Sequence, residues 1–295
     1  MRILSIPLIA SALFAVSHAD EPNTGAVWQI SDDDSTVYLA GSVHLLREKD
    51  LPVPKIFDEV YEESDEMVFE IDMAKMFDPE TVMEVQKLGT LPEGESLSDK
   101  LDKETVSKVH GYLNSRGLPQ GLFDRFTPGM VYLTLSSLEA TRNGARPDLG
   151  LEAQYYQKSL DDGKPSRGLE TTKYQMSRFE QFTTEEIETL LQKALEDIDE
   201  TPELLDTMIA AWKSGDMDAL GQLVVEETAP TPRVRDLILT ERNKNWVPEV
   251  EKALAGSTNV MFLVGAAHLI GEDSVVDLLE EKGYSVKQVE LSAIE

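Results

Sequence analysis

The 295-residue chain contains no cysteine. That absence removes disulfides, thiol nucleophiles, thiolate metal sites, iron–sulfur clusters and a cysteine-linked lipid anchor in one step. Positive charge is also scarce: 27 Lys and Arg stand against 55 Asp and Glu, for a formal net charge of −28. Such a balance argues against a nucleic-acid partner, because phosphate binding needs a basic surface. It also repels anionic lipid headgroups. Beyond the first segment, no apolar run approaches the roughly 18 residues of a membrane-spanning helix. There is no G-x-S-x-G elbow, no H-E-x-x-H, no P-loop and no glycine-rich dinucleotide fingerprint. A serine triad has histidines and carboxylates to draw on, but no Ser on a recognisable nucleophile turn. What is present, 41% apolar and 28% charged residues, describes a globular chain long enough for a sizeable core.

Residues 1–19, MRILSIPLIASALFAVSHA, read as an export signal. Arg2 precedes an apolar run from Ile3 to Val16, and Ser17-His18-Ala19 offers the small–x–small pattern for cleavage after Ala19. A membrane anchor is the other reading of this stretch, but the run is short and Pro7 interrupts it. The mature chain, 20–295, is therefore expected to be periplasmic or secreted, without membrane insertion. Loss of His18 leaves His44, His110 and His268.

Apolar patterning predicts strands at Val37–Ala40, Met67–Ile71, Pro165–Leu169, Asn259–Val264 and Tyr284–Leu291. Pro54 is placed to open a helix with Ile56, Phe57, Val60 and Tyr61 inside, and Asp273 to cap one carrying Val275 and Leu279. VYLAGSVHLL at 37–46 lines up with MFLVGAAHLI at 261–270, and each continues into a helix and a strand. The expected fold is α/β, with a mixed, largely parallel sheet built from N- and C-terminal βαβ-like halves plus the 165–169 strand. The middle, about 76–240, reads as a mostly helical cap inserted into that single domain. Helices are expected at 103–114, 128–141, 187–198 (behind a Thr183/Glu186 capping box) and 203–212.

Chemistry concentrates in two loops. Gly41-Ser42-Val43-His44 and Gly265-Ala266-Ala267-His268 each follow a predicted strand, where ligands of open parallel sheets bind. Glycine permits a sharp turn there, and imidazoles from neighbouring strands can supply half of a metal site. Glu70 interrupts an apolar strand, a costly position for a carboxylate unless it is paired or metal-bound. Glu170 ends another strand and is the second candidate acid. Glu290, in the position matching Glu70 in the second half, reads more simply as a residue near a frayed terminus. Arg242 is either an anion-stabilising donor or a plain surface cation. His110, on one helix face with Val106 and Leu113, reads as a structural histidine.

On these residues the sequence resembles the TraB/PrgY/GumN family, to which the Tiki-type metalloproteases are related. The resemblance rests on YLAGSVHLL, the MVFEID strand, GKPSRGLET with Gln175, ERNKNW, and VGAAHLIGEDSVVDLLEEKGYSV. It implies an erythromycin-esterase/ChaN-like sheet with a helical insertion, and a site made of His44, His268, Glu70, Glu170 and Arg242. Glu152 stands where the family is expected to favour Asp, which leaves its role open.

The leading expectation is a metal-dependent hydrolase, a peptidase above all. His44, His268 and Glu170 are expected to hold a divalent ion, with zinc, manganese and cobalt all compatible with nitrogen and oxygen ligands. Glu70 is expected to serve as general base or as a further ligand, and Arg242 to stabilise an oxyanion. The rival is a non-catalytic protein that sequesters a peptide or small molecule in the same cleft, and an envelope-assembly partner is a third reading.

Overall fold

A computed structural model describes residues 25–228 and 231–290. The expected leader, 1–19, lies outside the described residues. Among those described, no helix is long and apolar enough to cross a membrane.

The fold is α/β around a mixed six-stranded sheet with strand order β4-β3-β5-β2-β1-β6. The strands are β1 (Val27–Ser31), β2 (Thr36–Ser42), β3 (Glu66–Ile71), β4 (Ser166–Glu170), β5 (Val260–Gly265) and β6 (Lys287–Gln288). β4, β3, β5 and β2 run parallel, whereas β1 pairs antiparallel with both β2 and β6. β5 lies between β2 and β3 and is buried along its whole length, which is why NVMFLV shows no polar alternation.

Three expectations are refined. β1 was not foreseen; it hairpins onto β2, with Trp28 opposite Leu39. The strand expected over Tyr284–Leu291 shrinks to Lys287–Gln288, an exposed edge pair on β1, and Leu291 lies outside the described residues. The last α-helix among the described residues, Val275–Glu281, is capped by Ser274, whose hydroxyl accepts from the Asp277 N–H, and not by Asp273, which takes φ 57° just before it.

The helices follow their sequence signals. Pro54 accepts from the Phe57 N–H and leads into Ile56–Glu63, which buries Ile56, Phe57, Val60 and Tyr61. Thr183 and Glu186 form the reciprocal capping box at the head of Thr184–Glu196. Two apolar clusters result. One surrounds the sheet; the other joins Lys103–Ser115, Pro128–Arg142 and Thr184–Glu196 through Val109, Leu113, Val131, Leu135 and Leu191. The helix Thr201–Ser214 returns to the sheet, where the buried Trp212 indole donates to the Gly41 carbonyl at 2.7 Å.

Candidate functional site

Parallel neighbours β2 and β5 end side by side, with Gly41 level with Val264 and Ser42 level with Gly265. The two G-x-x-H loops therefore emerge next to each other at the carboxyl edge of the sheet, with Glu70 arriving from the adjacent end of β3. Glu70 is buried, and each of its oxygens has a separate task. Oε1 accepts the Gly265 N–H at 2.7 Å and lies 3.9 Å from Nε2 of His268. Oε2 accepts from Arg242 Nη2 at 2.5 Å and from Gln175 Nε2 at 3.1 Å. Burial pushes this carboxyl up, but the Arg242 guanidinium, the two neighbouring imidazoles and the Gly265 N–H together outweigh it and hold Glu70 well below the usual carboxylate range.

Arg242 reaches the cluster from the helix Glu241–Leu254. Its Nε donates to Glu170 Oε2 at 2.9 Å, and its Nη1 donates to the Ile238 carbonyl at 3.1 Å and to His268 Nε2 at 3.0 Å. The guanidinium carbon also sits 4.9 Å from the centre of the Trp246 ring. A buried cation between two carboxylates is the arrangement that makes each of the three tolerable away from water.

His268 is buried, with its ring 4.3 Å from that of Trp246. Asn243 donates through its amide to the Asp273 carbonyl at 2.9 Å, which turns its Oδ1 toward His268 Nδ1 at 2.6 Å. The proton therefore sits on Nδ1, and the Nε2 lone pair faces Arg242 and Glu70. Burial and the neighbouring Arg242 push the imidazole down to about 3, so His268 is neutral.

His44 lies at the mouth of the site, its side chain 64% exposed. Nδ1 is 2.7 Å from Oε1 of Glu152, which also accepts from the Ser42 hydroxyl. The Glu152 carboxylate raises the imidazole above its ordinary range, an effect that solvent screens at this exposure. Glu152 stands in the first turn of Leu151–Asp162, and Gly150 before it allows contact with the His44 loop: a Cβ there would lie 2.1 Å from the His44 carbonyl oxygen.

Glycine is required at 265 for a different reason. A Cβ on Gly265 would stand 3.0 Å from Glu70 Oε1 and 3.4 Å from His44 Nε2. Glu70 and His44 thus meet over the Gly265 backbone, and His268 adjoins them through Glu70 Oε1. Among the described residues, no group of three His, Asp or Glu side chains is gathered as a preformed metal cage. As placed, Glu152 holds Nδ1 of His44, and Arg242 occupies the Nε2 lone pair of His268.

Glu170 enters as the partner of Arg242. Its Oε1 accepts the Trp246 indole N–H at 3.0 Å, and Oε2 accepts from Gln175 at 3.2 Å as well as from Arg242. Burial raises its carboxyl, partly offset by Arg242. Glu290 is exposed beyond β6, and His110 is half-buried on the Lys103–Ser115 helix. Sequence reasoning missed Asn243 and Ser42 as the groups that orient this site; Asn243 is the next residue after Arg242, so only its place beside a candidate residue marked it.

Comparison with known proteins places the chain in a family. The TraB/PrgY/gumN family matches residues 26–288. The uncharacterized protein YbaP of Escherichia coli K12 is 22% identical over 242 residues, covering 82% of this chain and 87% of that protein, and YbaP of Shigella flexneri gives the same values. No solved structure matches the chain. Both G-x-x-H loops, Glu70, Glu170 and Arg242 fall within the matched span, and the chain belongs to the TraB/PrgY/gumN family.

Proposed function

We propose that this protein is a metal-dependent hydrolase acting on peptides, with its active site in the space enclosed by His44, His268 and Glu70. One observation carries the reading: His44 Nε2 and Glu70 Oε1 border the gap left by Gly265, and His268 Nε2 lies 3.9 Å from the same carboxylate oxygen. Nitrogen and oxygen donors of this kind suit zinc, manganese or cobalt. A bound divalent ion would supply Lewis acidity, polarising a substrate carbonyl.

The chain's own groups divide the remaining work. Glu70, held anionic by Arg242, is suited to binding a cation through Oε1 and poorly suited to keeping a proton. Of the two roles expected for it, the ligand role is the one we propose. Asn243 keeps the His268 proton on Nδ1, and Glu152 holds the Nδ1 proton of His44, so Nε2 is the ligating atom of both rings, that of His44 once it gives up its own proton. Arg242 must release His268 before an ion binds there, which frees Nη1 to meet negative charge developing on a substrate oxygen. Glu170, Trp246 and Gln175 fix the guanidinium during that change. Kinship with Tiki-type metalloproteases, a ChaN-like sheet, and export to the periplasm or beyond belong to the same proposal.

A second reading has its own support. Both Glu70 oxygens and the His268 lone pair are already bonded within the protein, a self-neutralised cluster that suits a non-catalytic peptide binder. Incubation with a mixed peptide library, with and without chelator, followed by mass spectrometry separates the two. Chelator-sensitive cleavage, lost in His44→Ala and His268→Ala with the fold intact, supports the hydrolase. Retention of peptides without turnover supports the binder. Unchanged metal stoichiometry in the double substitution ends the metal assignment.

A further inference from the structure

β4 is the edge strand on the Glu170 side of the sheet, paired with β3 alone. The Met67 N–H donates to the Pro165 carbonyl at 2.9 Å, so parallel alternation turns the backbone groups of Pro165, Arg167 and Leu169 toward β3. Those of Ser166, Gly168 and Glu170 then point away from the sheet. Ser166 is exposed and the rest of β4 only half-buried, beside a cavity of about 790 Å³ lined by Gly168, Leu169, Glu170 and Trp246. An open row of strand donors and acceptors is a template for another strand.

The opposite wall of this cavity is the 72–84 segment. The residues it turns toward the cavity are Asp72, Lys75, Asp78, Glu80, Thr81 and Glu84, while its exposed hydrophobics Met76, Phe77, Val82 and Met83 lie outside the lining. The cavity's charge is unbalanced. Lys75 pairs with Asp72, Lys173 with Glu84, and Arg167 with Glu66, while the Asp78 and Glu80 side chains have no cationic partner among the described residues.

We propose that the free edge of β4 docks an extended, basic segment of the polypeptide substrate as an added strand. This rests on the reading of the site as one that receives peptides. Backbone pairing would supply affinity, and the 72–84 wall would select side chains. The groove is continuous with the candidate site, since Glu170 and Trp246 border both. An added strand would lie about 14 Å from β5, three spacings of about 4.8 Å, and a chain rising about 3.3 Å per residue needs roughly four residues to cross that distance. The docked residues are therefore remote from the reacting bond, and peptides of four residues or fewer cannot occupy both places.

The test is fluorescence polarisation with the whole protein and a fluorescein-labelled decapeptide of alternating valine and lysine. Two further probes carry N-methyl groups on the valines only or on the lysines only, which strips the donors from one edge of the peptide strand or the other. One methylated probe is expected to lose binding at least tenfold and the other to bind like the parent. Ser166→Pro, which deletes one outward donor at a tolerated edge position, is expected to weaken the parent probe about tenfold. Leu122→Ala, an exposed position outside the cavity lining, is expected to bind it unchanged. Equal effects of the two methylation patterns, or no binding by the unaltered protein, overturn the proposal. Pattern-dependent binding without cleavage leaves the docking edge standing and ends the hydrolase reading instead.

Discussion

Nη1 of Arg242 donates to Nε2 of His268 at 3.0 Å, so the cation and the imidazole of the candidate site are bonded directly to each other. The bond is possible because Asn243 has claimed the other ring nitrogen. It makes Arg242 both a support for two buried acids and a competitor for the lone pair a metal would need.

Those two roles predict opposite effects of one substitution. Arg242→Ala leaves Glu70 and Glu170 buried without a cation and should destabilise the fold by about 3–5 kcal/mol, measured by urea unfolding. Adding manganese or zinc should then restore more stability to the variant than it adds to the unaltered protein, because the ion replaces the missing charge. An equal response of both proteins would count against the shared site.

Gly265→Ala places a methyl group between Glu70 and His44. Isothermal titration should show divalent-metal affinity reduced at least tenfold, while circular dichroism shows the same secondary structure. Full metal affinity in this variant would place the ion elsewhere.

Glu152 orients the exposed His44 ring and holds the Ser42 hydroxyl. Truncation to alanine frees the ring, and losing an orienting carboxylate of this kind costs about 10- to 100-fold in metal affinity. Glu152→Asp, one methylene shorter, should fall between the two. The expected outcome is a graded series, unaltered above Asp above Ala, in the same titration.

The His44 loop is anchored further on by Arg47, which donates to both oxygens of Asp50, at 2.7 and 2.9 Å. Burial pushes the Asp50 carboxyl up, but the Arg47 hydrogen bonds and charge prevail and its pKa ends below the ordinary 3.8. The folded form thus releases its proton more readily than the unfolded one. Stability from this pair is present above the unfolded value and disappears as pH falls through the depressed one. Asp50→Asn should therefore lower stability by about 2 kcal/mol at neutral pH, with the gap closing in strong acid. Urea melts across pH 2–8 (on the order of eight points) check it.

Much of the site could be read from local pattern, because each key residue breaks a rule where it stands. Glu70 is an acid in an apolar strand, and the two histidines follow glycines at strand ends. Their partners carry no such mark. Glu152 meets His44 across 108 positions, and Asn243 meets His268 across 25, contacts that only the folded chain creates. Glu170 was legible as a member of the cluster, but not as the partner of Arg242, since spacing holds no information about which acid a guanidinium will choose. β1 carries a weak signal because Val27–Ser31 is short and holds Gln29 and Ser31, and the last strand is shorter than its apolar pattern because Tyr284 and Val286 pack against the core ahead of the two-residue pair with β1. Ser274 prevailed over Asp273 as a cap because Asp273 occupies the left-handed region just before the helix.

The location of β5 has a consequence for synthesis. The strand that separates β2 from β3 is encoded within the last 40 positions, after everything it must divide. A ribosome that has finished β4 has released an N-terminal portion whose native neighbours are absent, so the sheet cannot zip progressively as the chain emerges. Threading of the final central strand should instead be a late, all-or-none event, and a polypeptide clipped ahead of Val260 would be clearance substrate for quality-control proteases.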